Sequence, residues 1–489
     1  MLTAARETKT GFPGAHRQAR RRALALHPAY IVVAGACAVL LRQAMRSGLS
    51  GDVFYELAAG RWMLRHHAIL RHDTFTYSVA GRAWLDEEWG FQALLAWLVA
   101  HVGPVSYWLL SAGTCAAALA ASVALWRRNG AGPLWSGALA VVGAAGLSVG
   151  LSPRPQDLSY LFFAVLMLLL YVARSNPRWL AAVPVLFLTW ANVHGSFLLG
   201  LAVVALDLAS ALVKAAAGRR VRQLATCLLA SVLATFANPA GPRLLAYAFR
   251  VSTSPTLSSF IVEWQSPNFH LPLLLAAIVV PLLLLVAAIA FGGGALDPPA
   301  VLLALALFVS TLHAVRFTPY FDLAACAALA KWRPLGHETL RPSTLTAPGA
   351  VLLVGALLAG PHVAAGTPQV KGPLGCPVIA TNFLAHQSGR IFTTYWWGDY
   401  LDYRGIPVFI DGRTDLYFGT GALTTYMRVA ELRTPPDPFL SRWKVKWVLW
   451  QDGTALATYL DHDPQWRKVL VAQGAVVFER DLEAPRAVR

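Results

Sequence analysis

The chain has 489 residues, of which 56% are hydrophobic and 13% charged, with a mean hydropathy of +0.51. Soluble domains carry about 25% charged residues, so much of this chain is solvated by lipid, and a wholly water-soluble protein is excluded. The formal charge of +16 does not mark a nucleic-acid binder: many basic residues sit in short loops between apolar runs, the positive-inside pattern of membrane proteins.

Residues 1–27 are polar and basic, with Arg17, Arg20, Arg21 and Arg22. The apolar run from Tyr30 to Leu41 follows without a clean small-residue cleavage site, so it reads as an uncleaved first span with its N-terminus in the cytoplasm. Further runs long enough to span lie near 105–126, 134–151, 157–173, 179–193, 198–216, 222–237, 271–291, 298–314, 316–330 and 347–363. The expected architecture is an α-helical polytopic membrane protein of about 11 transmembrane helices, with its bundle over 28–363. That odd number places a C-terminal domain, 364–489, outside the cytoplasm. Short β-rich runs at Val378–Ala380, Val408–Ile410, Val445–Trp450 and Ala475–Phe478 alternate with helix-like stretches there, which predicts a small α/β domain.

The charge pattern agrees with this sidedness. Arg127-Arg128, Arg174 to Arg178, Lys214 to Arg222 and Lys331 to Arg341 fall in expected inner loops, while Phe291 to Asp297 carries no basic residue. Two long segments are left on the outer side, 47–103 and 238–270. Cys37, Cys115, Cys227 and Cys326 lie in apolar runs and Cys376 stands apart, so neither a disulfide framework nor a structural zinc is expected.

Polar residues collect at the outer ends of the runs. In the first outer loop Val53, Leu57 and Leu64 mark an amphipathic helix able to lie in the interface, and Asp52 stands just before it. Asp52 reads either as a helix cap or as a carboxylate at the mouth of a cavity. Asp73 reads as a turn cap or a site acid. Asp86, Glu87 and Glu88 open a second amphipathic helix from Phe91 to His101, where acids suit the dipole. Five acids in one aromatic-rich loop are also enough for a base or a metal site. Ser152–Asp157 is a rigid turn carrying Arg154, and His194 sits at or near membrane depth, where polar groups are functional candidates. Arg316 lies in a tight outer turn with His313. It either snorkels or holds a phosphate with its forked donors.

Gly60-Arg61-Trp62, Asp73, and Trp84 followed by Glu88-Trp89 resemble the first outer loop of a group of bacterial multi-span proteins. Ala191-Asn192-Val193-His194-Gly195, Asn238-Pro239 and Val408-Phe409-Ile410-Asp411-Gly412-Arg413 resemble the same group, which is similar to the GT-C superfamily of membrane glycosyltransferases. The resemblance runs from about 48 to 480. It implies a GT-C-like bundle and transfer of a sugar from a polyprenyl-phosphate-linked donor, with Asp52 in the role of the essential first-loop acid. The group's Trp-Trp-His is Phe54-Tyr55-Glu56 here, and its additional upstream acid is absent at Ser50-Gly51.

On that reading Asp52, Asp73 and Glu88 are the catalytic candidates, while His194, Arg316, Arg154, Trp84 and Asn192 bind substrate. A divalent metal held by Asp52 with Asp73 or Glu88 is a candidate cofactor. Tyr395–Tyr400 and Asp411–Asp415 are acceptor-binding candidates or, equally, core and turn. The expected partners are membrane lipids and the lipid-linked donor, and the expected location is the bacterial inner membrane. A non-catalytic GT-C-fold subunit is the alternative. A transporter is disfavoured, because no inverted repeat is visible.

Overall fold

The computed structural model describes residues 28–46, 51–214, 218–254, 261–292, 296–332, 334 and 375–481. The expected N-terminal segment 1–27 and the expected span at 347–363 lie outside the described residues.

The bundle is built from α1 (Pro28–Arg46), α4 (Ser106–Arg128), α5 (Pro133–Gly150), α6 (Pro155–Val172), α7 (Ala182–Trp190), α8 (Phe197–Val213), α9 (Gly218–Thr235), α11 (Pro272–Phe291), α12 (Pro298–His313) and α13 (Thr318–Leu329). Each matches one expected apolar run. Among the described residues four helices, α4, α5, α6 and α11, are long and apolar enough to cross a membrane, and α8, α12 and the Ile31–Met45 part of α1 are shorter apolar stretches. Helix starts follow local chemistry: α5, α6, α11, α12 and α13 each carry proline in the first turn, where its missing N–H costs no hydrogen bond. The stretch 179–216, hard to divide by hydropathy, breaks into a 3-10 turn at Pro177–Ala181, α7, a turn at 191–196 and α8. Fully buried Trp126, Phe163, Phe187, Trp190 and Phe321 fill the bundle core.

At one end of the bundle the inter-helix turns meet. Arg174 and Lys214 both pair with Asp297, at 3.1 and 3.4 Å. The loop without a basic residue of its own therefore supplies the acid that its basic neighbours contact.

At the other end sit α2 (Asp52–His66), α3 (Trp89–Val102) and α10 (Arg243–Ser252) with the C-terminal unit. The helices expected at 53–64 and 91–101 are present, and in α2 Leu64 is exposed while the rest of the apolar stripe is covered by protein. Val53, Phe54 and Leu57 are buried with Trp397, Tyr400 and Leu401 of the C-terminal unit. Gly60 permits the close crossing of α2 and α3, because a Cβ there would sit 2.8 Å from the Cβ of Ala96 and against the Gln92 carbonyl.

The C-terminal unit holds β1 (Arg390–Thr393), β2 (Val445–Gln451), β3 (Trp466–Ala472) and β4 (Ala475–Arg480) in the order β1-β2-β4-β3. β1 runs parallel to β2, and the other two pairings are antiparallel. Val476, Val477 and Phe478 of β4 are fully buried. Around the sheet lie α14 (Val378–Leu384), α15 (Tyr395–Tyr403), α16 (Ala422–Ala430), α17 (Pro436–Arg442) and α18 (Ala455–Asp461). Val408 bridges both Ile391 of β1 and Thr76 of the first loop, so the loop extends the sheet edge. Tyr77 N–H donates to the Val408 carbonyl at 2.9 Å.

Of the two readings of Asp73, the turn cap is the one its contacts match. Its carboxylate receives Arg413 Nη2 at 2.5 Å, and both side chains have zero exposure. It also accepts from Thr76 Oγ1 at 2.7 Å and from two backbone N–H groups. Asp73 thus locks the first loop to the Asp411–Arg413 turn. Arg413 is further bracketed by the rings of Phe75 and Trp84 at 5.0 and 4.8 Å. Breaking a buried pair strands a charge, so Asp73→Ala is expected to lower stability by about 3–5 kcal/mol. Thermal unfolding of the purified variant measures it, and an unchanged midpoint would contradict this structural role.

Candidate functional site

A cavity of about 470 Å³ opens where the C-terminal unit meets the bundle. Its walls come from widely separated stretches of chain: the first loop, the α5–α6 turn, the α7–α8 turn, residues 247–252, residues 261–264, residues 313–320 and the Gly412–Asp415 loop. Six of the eight candidates from the sequence line it, namely Asp52, Glu88, Arg154, His194, Arg316 and Trp84. Asp73 and Asn192 do not. Asn192 instead accepts from Trp89 Nε1 at 2.7 Å and from Asn238 Nδ2 at 3.3 Å. It joins the α7–α8 turn to α3 and to the Asn238 turn, a positioning contact rather than a cavity wall.

Asp52 is not a cap. It occupies the first turn of α2, whose start has no side-chain capping bond. Its carboxylate instead accepts from Arg154 Nη1 at 2.7 Å. The other Arg154 terminal nitrogen contacts Glu263 Oε1. Arg154 therefore bridges two acids across the cavity mouth, and it stands there because Pro153 and Pro155 fix the turn on both sides of it.

Arg316 is held differently. Its guanidinium lies 4.5 Å from the centre of the Trp264 ring and donates from Nη2 to His194 Nε2 at 3.3 Å. Among the described residues no carboxylate forms an ion pair with it. The other ring nitrogen of His194, Nδ1, lies 2.8 Å from Ser196 Oγ and 3.0 Å from Ser159 Oγ, with the Ser196 backbone N–H 3.3 Å away. Burial, aided by Arg316 and Arg154, holds the His194 pKa well below the ordinary imidazole value, which favours a neutral ring.

Facing these cations is a bank of acids. Burial first, and then the charges of Glu88 and Asp86, raises the Glu56 carboxyl well above the ordinary value. Burial first, and then the charge of Glu88, pushes the Glu87 carboxyl up to about 8; burial and then Asp86 push Glu88 up to about 8. Asp86 is also raised by burial, and it accepts from Gln92 Nε2 at 3.0 Å. Asp415 closes the roof, accepting from Trp84 Nε1 at 3.1 Å and Tyr247 O–H at 2.6 Å. The helix-dipole reading of Asp86 to Glu88 is incomplete, since all three side chains line the cavity. Glu56, Glu263, Trp264 and Tyr247 were not among the site candidates, while Asp415, from the Asp411–Asp415 acceptor-binding candidates, lines the cavity. Glu56 lies one helical turn from Asp52, a spacing that places both on one face, and this was the signal available for it.

Raised carboxyl pKa values tie stability to pH. Glu87 and Glu88 bind more protons in the folded chain than in the unfolded chain wherever pH lies above about 4.5, the ordinary Glu value, and below about 8. The thermal midpoint is therefore expected to fall as pH rises from about 4.5 to about 8 and to level off above. Differential scanning calorimetry across that window checks it. A Glu87→Gln, Glu88→Gln chain should show a flatter profile, and the same slope in both chains would refute the assignment.

No family model and no curated protein matches the chain. Solved structures do. Archaeal oligosaccharyltransferase AglB from Archaeoglobus fulgidus, in complex with an inhibitory peptide and a dolichol-phosphate, superposes with a TM-score of 0.58 at 11% identity, over 87% of this chain and 69% of that one. The same oligosaccharyltransferase in complex with Zn and sulfate gives 0.54 at 13% identity, over 86% and 67%. ArnT from Cupriavidus metallidurans bound to undecaprenyl phosphate gives 0.47 at 16% identity, over 94% and 99%. The chain has the GT-C fold. In this GT-C fold the cavity lies between the helical bundle and the small sheet-containing unit, and the fold is that of a membrane protein.

The metal expected on Asp52 with Asp73 or Glu88 is not favoured by the contacts these acids make. Asp52 is paired with Arg154, Asp73 with Arg413, and Glu88 faces Glu56 and His194.

Proposed function

We propose that the chain is a membrane glycosyltransferase that moves a sugar from a polyprenyl-phosphate-linked donor to an acceptor hydroxyl on the outer face of a bacterial inner membrane. The observation that carries the reading is Arg316, a cation on the cavity wall with no described carboxylate within ion-pairing distance, in the same cavity as Asp52. The likeness in fold to an oligosaccharyltransferase complexed with a dolichol-phosphate supports it.

The donor's phosphate sits on Arg316, whose forked donors match phosphate oxygens. His194 and Trp264 hold that guanidinium in place. The apolar Leu198, Leu199, Ala248, Val251 and Phe317 of the same cavity accept the start of the isoprenoid tail. Asp52 takes the proton of the acceptor hydroxyl as its oxygen bonds to the anomeric carbon. The bond from that carbon to the phosphate oxygen breaks, and the polyprenyl phosphate leaves with the electron pair onto Arg316. A single displacement inverts the sugar. Neutral Glu87 and Glu88 matter here, because a fully ionised acid bank would repel the donor. Gly412, Thr414 and Asp415 present the roof to the acceptor.

A second reading, a non-catalytic lipid- or glycan-binding scaffold, is favoured by one contact: Arg154 engages the carboxylate assigned as base. Membranes from cells expressing the protein, incubated with radiolabelled undecaprenyl-phosphate-linked hexoses, decide between them. Consumption of one donor above the Asp52→Asn background supports transfer. A purified protein that is stabilised by undecaprenyl phosphate yet consumes none of the donors supports the scaffold.

A further inference from the structure

A second group of acids lies behind the cavity roof and takes no part in the proposed transfer. Asp399 and Asp402 are on α15, and Asp411 starts the turn that leads to Gly412 and Asp415. All three are buried, Asp402 to 4% exposure and the others to zero. One carboxylate oxygen from each lies within 4.8 Å of the others. Oxygens at about 2.4 Å from a shared calcium-sized cation are separated by no more than about 4.8 Å, so the three fit around one ion.

The hydrogen bonding leaves acceptors unused. Asp411 accepts from Arg413 N, Nε and Nη2, and Asp399 Oδ1 accepts from Gly412 N–H at 2.6 Å. Asp399 Oδ2 and both oxygens of Asp402 are buried with no donor. A buried carboxylate without a donor carries its full desolvation cost, and Asp402 carries it on both atoms. Charge counts the same way. Asp73, Asp399, Asp402 and Asp411 face a single buried guanidinium, Arg413, leaving a formal −3 out of water. The arginines nearest to Asp402 along α15 and α2 are engaged elsewhere: Arg61 donates to Tyr403 O–H at 2.8 Å, and Arg404 donates to Tyr400 O–H and Asn382. There is also a way in, because Asp402 forms part of the wall of a separate cavity of about 410 Å³ beside Arg61 and Thr74.

We propose that Asp399, Asp402 and Asp411 form a binding site for one hard divalent cation of the calcium–magnesium class, distinct from the sugar-transfer cavity. The donor set is all carboxylate oxygen, which selects hard cations over zinc or copper. Bound there, the ion ties α15 to the Asp411–Asp415 turn and so fixes the roof that Gly412, Thr414 and Asp415 give to the main cavity.

The test uses the full-length protein in detergent, stripped with chelator and desalted. Calcium and magnesium are then added separately. The expected result is about one equivalent of one of them retained after gel filtration by elemental analysis, with a saturable rise in thermal midpoint. Asp402→Asn and Asp399→Asn should each reduce retention at least tenfold and remove the rise, while the Asp52→Asn chain retains the ion. No retention and no shift in the wild-type chain would overturn the proposal, the trio then sharing protons instead. Retention undiminished in both trio variants would overturn it as well, as would a site that takes up only zinc.

Discussion

Arg316→Ala is expected to lower sugar transfer by about 100- to 1,000-fold, the loss that follows removal of a preorganised group aimed at developing charge. The size follows from what surrounds the side chain. Trp264 covers one face of the guanidinium, His194 accepts from one nitrogen, and no acid pairs with it among the described residues. Its charge is therefore available to a ligand. Arg154, the other arginine on the described cavity wall, is not in that condition, since it contacts both Asp52 and Glu263. Arg316→Lys keeps the charge but loses the fork and the ring stacking, so it should recover only part of the rate. Donor consumption at saturating and limiting donor separates binding from transition-state effects. Wild-type rates in Arg316→Ala would remove the phosphate from this position.

Asp52→Asn is expected to cost about 100- to 10,000-fold, the range for loss of a general base. The substitution is nearly isosteric, and Asn can still accept from Arg154, so the fold should survive. Arg154→Ala is the informative companion. If Arg154 only orients the base, transfer falls less than in Asp52→Asn, and KM for the donor stays near the wild-type value. A larger fall in Arg154→Ala than in Asp52→Asn would make Arg154 the principal group and Asp52 its holder. Both chains are compared at matched thermal midpoints, so that unfolding is not read as catalysis.

Much of this was legible in residue order. Apolar run length placed the helices of the bundle, because that signal is local and strong. Arg316, His194 and Asp52 stood out because polar residues beside apolar runs are conspicuous. What sequence did not carry was pairing. Asp73 and Asp52 have the same side chain in the same loop, yet one reaches Arg413, 340 positions away, and the other Arg154, 102 positions away. Nothing local distinguishes a carboxylate that will be sealed into a core from one that will line a cavity. Asn192 was misplaced for the same reason. Asp402 was passed over because Asp-Tyr beside Trp-Trp reads as ordinary packing until the hydrogen bonds are counted.

The strand of first loop laid against Val408 has a consequence for biogenesis. The ribosome makes Phe75 and Trp84 more than three hundred residues before Phe409 and Arg413 exist to cover them. Until the last quarter of the chain emerges, that aromatic surface has no mate, and neither the floor nor the ceiling of the cavity is fixed. Assembly is therefore late and all at once: a polypeptide stopped short of position 408 keeps its greasy helices yet has no pocket to offer.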